Sequence, residues 1–227
     1  MFVSDEIQTE NVSDPDRFHR VVCRFDEENA RDPHRETDGG IAWPRELLLA
    51  RRLWDWVLRL APDPSEELRL ASRCQHLCRW MIARPTYAMT KAGYLQWRAD
   101  LKVFHAHLAG EILRTAGYPD DLVFRVQMLN LKTNFPTDPE ACLLEDALCL
   151  VFLQYQFAEL AARTDAAKII NALQKSWKKM TPAAHAEALR LRYGPRETKL
   201  LEAALGQRRA PPGATSPERD TSPSAEG

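Results

Sequence analysis

Helical periodicity recurs along most of this chain, and it constrains the fold more than any other feature of the sequence. Apolar residues return every three or four positions in successive segments, whereas the alternation of apolar and polar residues that marks half-buried strands is missing. Gly is scarce, at nine of 227 residues, and Pro stands between the periodic segments rather than within them. These patterns predict an all-α protein.

Capping and turn residues predict where the helices begin and end. Asp14 and Asp138, each followed by Pro, and Ser65, followed by two Glu, have the pattern of helix N-caps. A long fourth helix is predicted for residues 91–115. The polar residues 29–40, which end in two Gly, are predicted to form a loop.

The same reading predicts one domain with unstructured ends. Residues 14–205 are expected to form a single multi-helix bundle, preceded by a flexible N-terminus at residues 1–13. Residues 206–227 consist of Pro, Ser, Ala, Gly and charged residues without an apolar anchor, so we expect a disordered C-terminal tail.

Charge and hydropathy narrow the partners that we expect. The formal net charge of -1 argues against a dedicated polyanion binder, so nucleic acid is not the expected partner. No run approaches the roughly 18 unbroken apolar residues of a membrane span, and the acidic N-terminus lacks the pattern of a secretory signal. Five Cys, an odd number, fit reduced thiols. We therefore predict a cytoplasmic location and no membrane partner, and the sequence leaves the oligomeric state open.

Two adjacent carboxylates in an apolar segment are the most informative chemical feature. Residues 143–153 are apolar on nearly all sides, which predicts a buried helix, yet Glu145 and Asp146 lie within it. A buried ionised carboxylate is unfavourable unless it is paired or binds a metal. For Asp146 the alternatives are therefore a metal ligand and a salt bridge or cap to a neighbouring loop.

Other polar side chains stand beside apolar stripes on separate helices. His105 shares an inward face of the fourth helix, as a metal ligand or as a hydrogen-bonded core residue. Arg98 and Lys102 precede it at helical spacing and form either a cationic edge for phosphate or a solvated face. His76 with Arg73 and Arg79 forms a second cationic rim, for which an ordinary exposed helix face is the alternative.

Two further acids, Glu46 and Asp26, lie near helix ends. They are candidates for a site, although capping or closing a helix is the commoner role for acids near helix termini.

Several short motifs together resemble the family of domain of unknown function 4202. The resemblance covers roughly residues 17–189, and some members of that family carry a glutamyl-tRNA synthetase label. The motifs are residues 25–29 (FDEEN), 44–48 (PRELL), 71–76 (ASRCQH), 79–80 (RW), 92–98 (AGYLQWR), 101–106 (LKVFHA), 144–153 (LEDALCLVFL) and 177–180 (WKKM).

A looser resemblance is to the HD phosphohydrolase superfamily, in which His and Asp residues on several helices bind metal. A helix ending near His76, a helix with His105 and then the pair Glu145 and Asp146 follow a similar order, although no His-Asp dipeptide is present. The resemblance implies an all-α, HD-like bundle with a divalent metal cofactor.

These observations together predict a metal-dependent hydrolase of a small phosphorylated molecule or nucleotide. The predicted metal ligands are His76, His105 and Asp146, completed by Glu46 or Asp26. The metal would activate a water, and Glu145 would act as general base. The predicted phosphate-binding residues are Arg79, Arg98 and Lys102.

Two alternatives come from other classes of protein. A non-catalytic binding or scaffold protein would use the polar cluster as a structural network. An RNA-associated factor is suggested by the synthetase label and by the basic-aromatic residues 177–180, although the near-neutral charge counts against it.

Overall fold

A computed structural model of the chain describes residue 7 and residues 9–206. Ten α-helices account for most of the described residues, so the all-α prediction is confirmed. The predicted tail beyond Gly206 and most of the segment before residue 9 lie outside the described residues. The helices are α1 (Pro15–Ala30), α2 (Arg45–Leu60), α3 (Glu66–Cys74), α4 (Lys91–Thr115), α5 (Asp120–Leu131), α6 (Pro139–Val151), α7 (Phe157–Arg163), α8 (Ala166–Trp177), α9 (Pro182–Arg190) and α10 (Pro195–Leu205).

Side-chain caps begin the helices at the predicted residues. Asp14 caps α1, Ser65 caps α3 and Asp138 caps α6, each by accepting a hydrogen bond from a backbone N–H two or three residues ahead. The long helix α4 occupies the predicted residues 91–115. Local capping chemistry therefore determined these boundaries.

A small β-hairpin stands where a loop was predicted. Strands β1 (Arg35–Asp38) and β2 (Ile41–Pro44) pair antiparallel across Gly39 and Gly40, both of which have positive φ. A two-residue Gly-Gly turn with this backbone geometry favours a hairpin. The strands were missed because they are four residues long and lack an apolar alternation.

Helix α6 lies at the centre of the helical packing. It contacts α2, α3, α5 and α9, and Leu144, Ala147 and Leu150 are fully buried along it. A π-helical segment, Phe152–Gln156, connects α6 to α7 without a break.

The combined helical run Pro139–Arg163 is long and apolar enough, by length and composition alone, to cross a membrane. In this fold 56% of its most apolar window is buried against the other helices. We therefore interpret the run as the core helix of the domain.

Candidate anion-binding cavity

One cavity of about 840 Å³ opens beside α6. Its wall is formed by the start of α2, residues 76–98, the end of α5, the cavity-facing side of α6 with the π-helical segment, and parts of α7 and α8. The volume lies within the range of about 300–1,000 Å³ that is usual for small-molecule sites. A compartment of about 20 Å³ adjoins it and shares His76, Arg79, Arg98 and Lys132 with the larger cavity.

Positive charge dominates the lining of the larger cavity. Two carboxylates, Glu46 and Glu145, face an excess of cationic side chains. The six cations are Arg45, Arg79, Arg84, Arg98, Lys132 and Arg163. Clefts lined by one sign of charge concentrate ligands of the opposite sign, so this lining favours an anion.

All three predicted phosphate-binding residues lie at the junction of the two compartments. Arg79 and Arg98 line both compartments, and Lys102, one helical turn after Arg98 on α4, lines the smaller one. Within the described part of the chain, neither Arg98 nor Lys102 has an ion-pair or side-chain hydrogen-bond partner. Their charges are therefore available to an outside anion.

Two left-handed backbone residues help to build this junction. Cys78, just before Arg79, has φ +55°, and Lys132, at the C-terminal end of α5, has φ +59°. This conformation costs a non-glycine residue roughly 1–2 kcal/mol. The N–H of Cys78 donates to Oδ1 of the buried Asn29 at 3.1 Å, a contact that holds the turn.

Both predicted histidines lie at this junction as neutral groups. The His76 and His105 rings are 5.9 Å apart between centroids. Burial, followed by the nearby Arg79, lowers the pKa of His76 well below its ordinary value. Burial also lowers the pKa of His105 to about 4, against the opposing effect of its hydrogen bond with the Leu77 carbonyl. Nδ1 of His105 lies 2.7 Å from the Leu77 carbonyl, and Nε2 is buried without a hydrogen-bond partner among the residues that the structure describes.

The adjacent acids of α6 have separate roles. Both oxygens of Glu145 are paired, one with Lys132 and the other with Lys179 at 3.0 Å. Burial by itself raises the pKa of Glu145, but the two ammonium groups together lower it below its ordinary value. Glu145 is thus an ionised carboxylate that is paired with two lysines. These ion pairs weaken the prediction that Glu145 acts as a general base.

Asp146 faces away from Glu145 and holds the start of α9. Its two oxygens accept hydrogen bonds from the N–H of Thr181 at 2.8 Å and from the Thr181 hydroxyl at 2.6 Å. Thr181 in turn caps α9. Of the two alternatives for Asp146, the structure shows the cap to a neighbouring segment.

The five predicted metal ligands do not form one cluster. Only His76 and Glu46 line the larger cavity. Asp26 forms a two-point ion pair with Arg73, at 2.6 and 2.5 Å, and does not line the cavity. Among the described residues, no group of three or more His, Cys, Asp or Glu side chains is arranged to hold a metal ion. The residues therefore do not fit the divalent metal that the HD resemblance implies.

Glu46, another predicted ligand, lies alone at the cavity wall. It is buried at the start of α2, with its Oε1 4.0 Å from Nε of Arg79 and its Oε2 without a hydrogen bond in the described structure. Burial raises the pKa of Glu46 to about 7 despite the opposing effect of Arg79. Its protonation state therefore changes near neutral pH.

Sequence reasoning missed several residues of the lining. Lys132, Arg84 and Arg163 were not singled out, and neither was His34 from the segment before the hairpin. Lys132 lines the cavity from the C-terminal end of α5, where its left-handed backbone is a feature for which a non-glycine residue gives no clear sequence signal.

The basic-aromatic cluster is engaged within the fold. The Trp177 ring stacks on His185 at 4.0 Å between centroids, and Lys179 pairs with Glu145. Two of its side chains thus have internal partners, which reduces the support for an RNA-associated role.

Comparison with known protein families gives a family model that covers most of the chain. The family model described as a domain of unknown function, DUF4202, matches residues 19–201. No curated protein and no solved structure matches the chain.

Proposed function

The chain belongs to the family of the domain of unknown function DUF4202, and we propose that its cavity binds a small phosphorylated molecule or nucleotide. The observation that carries the proposal is the junction of Arg79, Arg98 and Lys102, where two of the three cations lack a carboxylate partner among the described residues. Guanidinium groups suit phosphate oxygens in both charge and geometry.

The rest of the cavity suits the organic part of such a ligand. Trp80, Tyr94 and Phe152 add aromatic surface to the lining, together with aliphatic side chains from α6 and α7. Aromatic surface next to a cationic junction favours a ligand with a planar or apolar portion joined to its phosphate.

Hydrolysis of the bound phosphate ester stays a prediction from the sequence. The metal-dependent route is not part of this proposal, because Asp146 and Asp26 are committed to Thr181 and Arg73. What supports the proposal is the binding of an anion, whether or not a reaction follows.

Calorimetric titration with inorganic pyrophosphate, AMP and ADP tests the proposal. We expect Arg98→Ala to weaken binding at least tenfold, or about 1.4 kcal/mol. Arg114→Ala, on the same helix but exposed beside Asp120, is the matched control and should bind like the wild type. Equal affinity in Arg98→Ala and the wild type, or no binding of any of the three anions, contradicts the proposal.

A further inference from the structure

Glu46 is a buried acid in a cavity dominated by cations, and no positive group among the described residues contacts it closely. It is 7% exposed, and its nearest cation, Arg79, stands at 4.0 Å, longer than a hydrogen bond. Glu145, which also lines the cavity, is similarly buried but contacts two lysines. The two cavity carboxylates therefore differ in what neutralises them.

The surroundings fix the position of Glu46 without satisfying its side chain. Its backbone N–H donates to Oδ2 of the buried Asp32 at 3.0 Å, which holds the start of α2. The charged or titratable groups that influence the pKa of the Glu46 carboxyl group are Arg79, Asp32, Arg45 and His34. Oε2 is nonetheless buried without a hydrogen bond in the described structure, and a buried polar atom without a partner is unfavourable.

We propose that Glu46 binds the phosphorylated ligand as a neutral carboxylic acid, donating a hydrogen bond from Oε2 to a ligand oxygen, so that binding takes up a proton from solvent. The inference rests on the proposed function and adds proton coupling to it. No bond of the ligand is made or broken in this step.

Electrostatics gives the reason for this coupling. An ionised Glu46 would repel the phosphate that Arg79 attracts, whereas a protonated one offers a donor. The pKa of about 7 means that the proton is available at neutral pH at little cost. His76 is not the proton acceptor that binding would use, because burial and the surrounding cations keep its pKa well below the ordinary value.

Calorimetry with inorganic pyrophosphate tests the coupling. The heat of binding at pH 7.5, measured in two buffers of different ionisation enthalpy, gives the number of protons taken up. We expect the wild type to take up roughly half a proton or more beyond Glu46→Gln, because an acid with a pKa near 7 is mostly ionised at that pH. The titration of pyrophosphate itself is common to both proteins and cancels.

Histidine is the side chain that ordinarily changes charge near neutral pH. His107→Gln is therefore the matched control, because His107 is exposed on α4 and lines neither compartment, and it should retain the proton uptake of the wild type. Between pH 7 and 8.5 the affinity of the wild type should fall by about tenfold relative to that of Glu46→Gln.

The outcomes separate this inference from the proposed function. Pyrophosphate binding with equal proton uptake in the wild type and Glu46→Gln overturns the role of Glu46 and leaves the anion site standing. Absence of pyrophosphate binding overturns both. A ¹³C NMR titration of the Glu46 carboxyl carbon in the wild type needs no variant, and a pKa that does not rise on pyrophosphate binding also overturns the inference.

Discussion

Arg73 and Arg98 represent two regions that treat positive charge in opposite ways. Arg73, on α3, is held by both oxygens of Asp26 on α1 and lies over the Trp54 ring. Arg98, on α4, is half-buried at the cavity and has no carboxylate partner in the described structure. Paired arginines join helices, whereas unpaired ones leave charge available to a ligand.

The sharpest test of this contrast replaces each arginine with leucine. Arg73→Leu should lower the free energy of unfolding by about 4 kcal/mol, because it leaves the partly buried Asp26 with only the more distant Arg51. Arg98→Leu should change it by less than about 0.5 kcal/mol, because no pair is broken. Urea denaturation followed by circular dichroism measures both, and equal losses would remove the distinction.

Glu46, on the cavity wall, should make the stability of the protein depend on pH. Its pKa rises from 4.5 to about 7 on folding, so its stabilising neutral form is complete below pH 4.5 and is lost as the pH rises through 7. Glu46→Gln should therefore be more stable than the wild type by about 3 kcal/mol at pH 8, but by less than about 1 kcal/mol at pH 5. Urea denaturation at the two pH values checks this, and a difference independent of pH would contradict it.

Asp146 is predicted to stabilise the fold and not to contribute to ligand binding, although its neighbour Glu145 lines the cavity. Asp146→Ala should cost about 2 kcal/mol of stability, because it removes two hydrogen bonds to Thr181 at the start of α9. The affinity for pyrophosphate should stay the same. A loss of affinity without a loss of stability would instead favour the metal-ligand role predicted from the sequence.

The smallest effect is expected at Lys179. Its side chain is 52% exposed, so its ion pair with Glu145 is screened by solvent, and Lys179→Ala should change stability by less than about 0.5 kcal/mol. Lys132, whose side chain is 18% exposed, pairs with the same carboxylate and is the matched comparison. Thermal unfolding of the two alanine variants should show the larger shift for Lys132→Ala.

The sequence was sufficient for features that depend on neighbouring residues. The helix starts at Asp14, Ser65 and Asp138 could be predicted because a capping side chain contacts N–H groups only two or three positions away. The inward face of His105 followed from helical spacing, and the structure buries that side chain. The phosphate-binding prediction for Arg98 and Lys102 placed them together because they are one turn apart.

What the sequence could not supply are pairings between distant segments. Asp146 accepts hydrogen bonds from Thr181, which lies 35 positions later in the sequence, and Asp26 pairs with Arg73, 47 positions later. Nothing in the local sequence distinguishes these acids from Glu46, which has no close side-chain partner in the described part of the chain. A site defined by the absence of a partner becomes visible only when the whole fold is known.

In the π-helical segment Phe152–Gln156, the number of residues between α6 and α7 affects the shape of the cavity wall. The segment leads directly into α7, and Leu160 and Arg163 of α7 line the cavity. Deleting a single residue there would swing these two side chains by about 100° around the helix axis. At this wall, the number of residues between α6 and α7 decides which surface a ligand meets, independently of which amino acids they are.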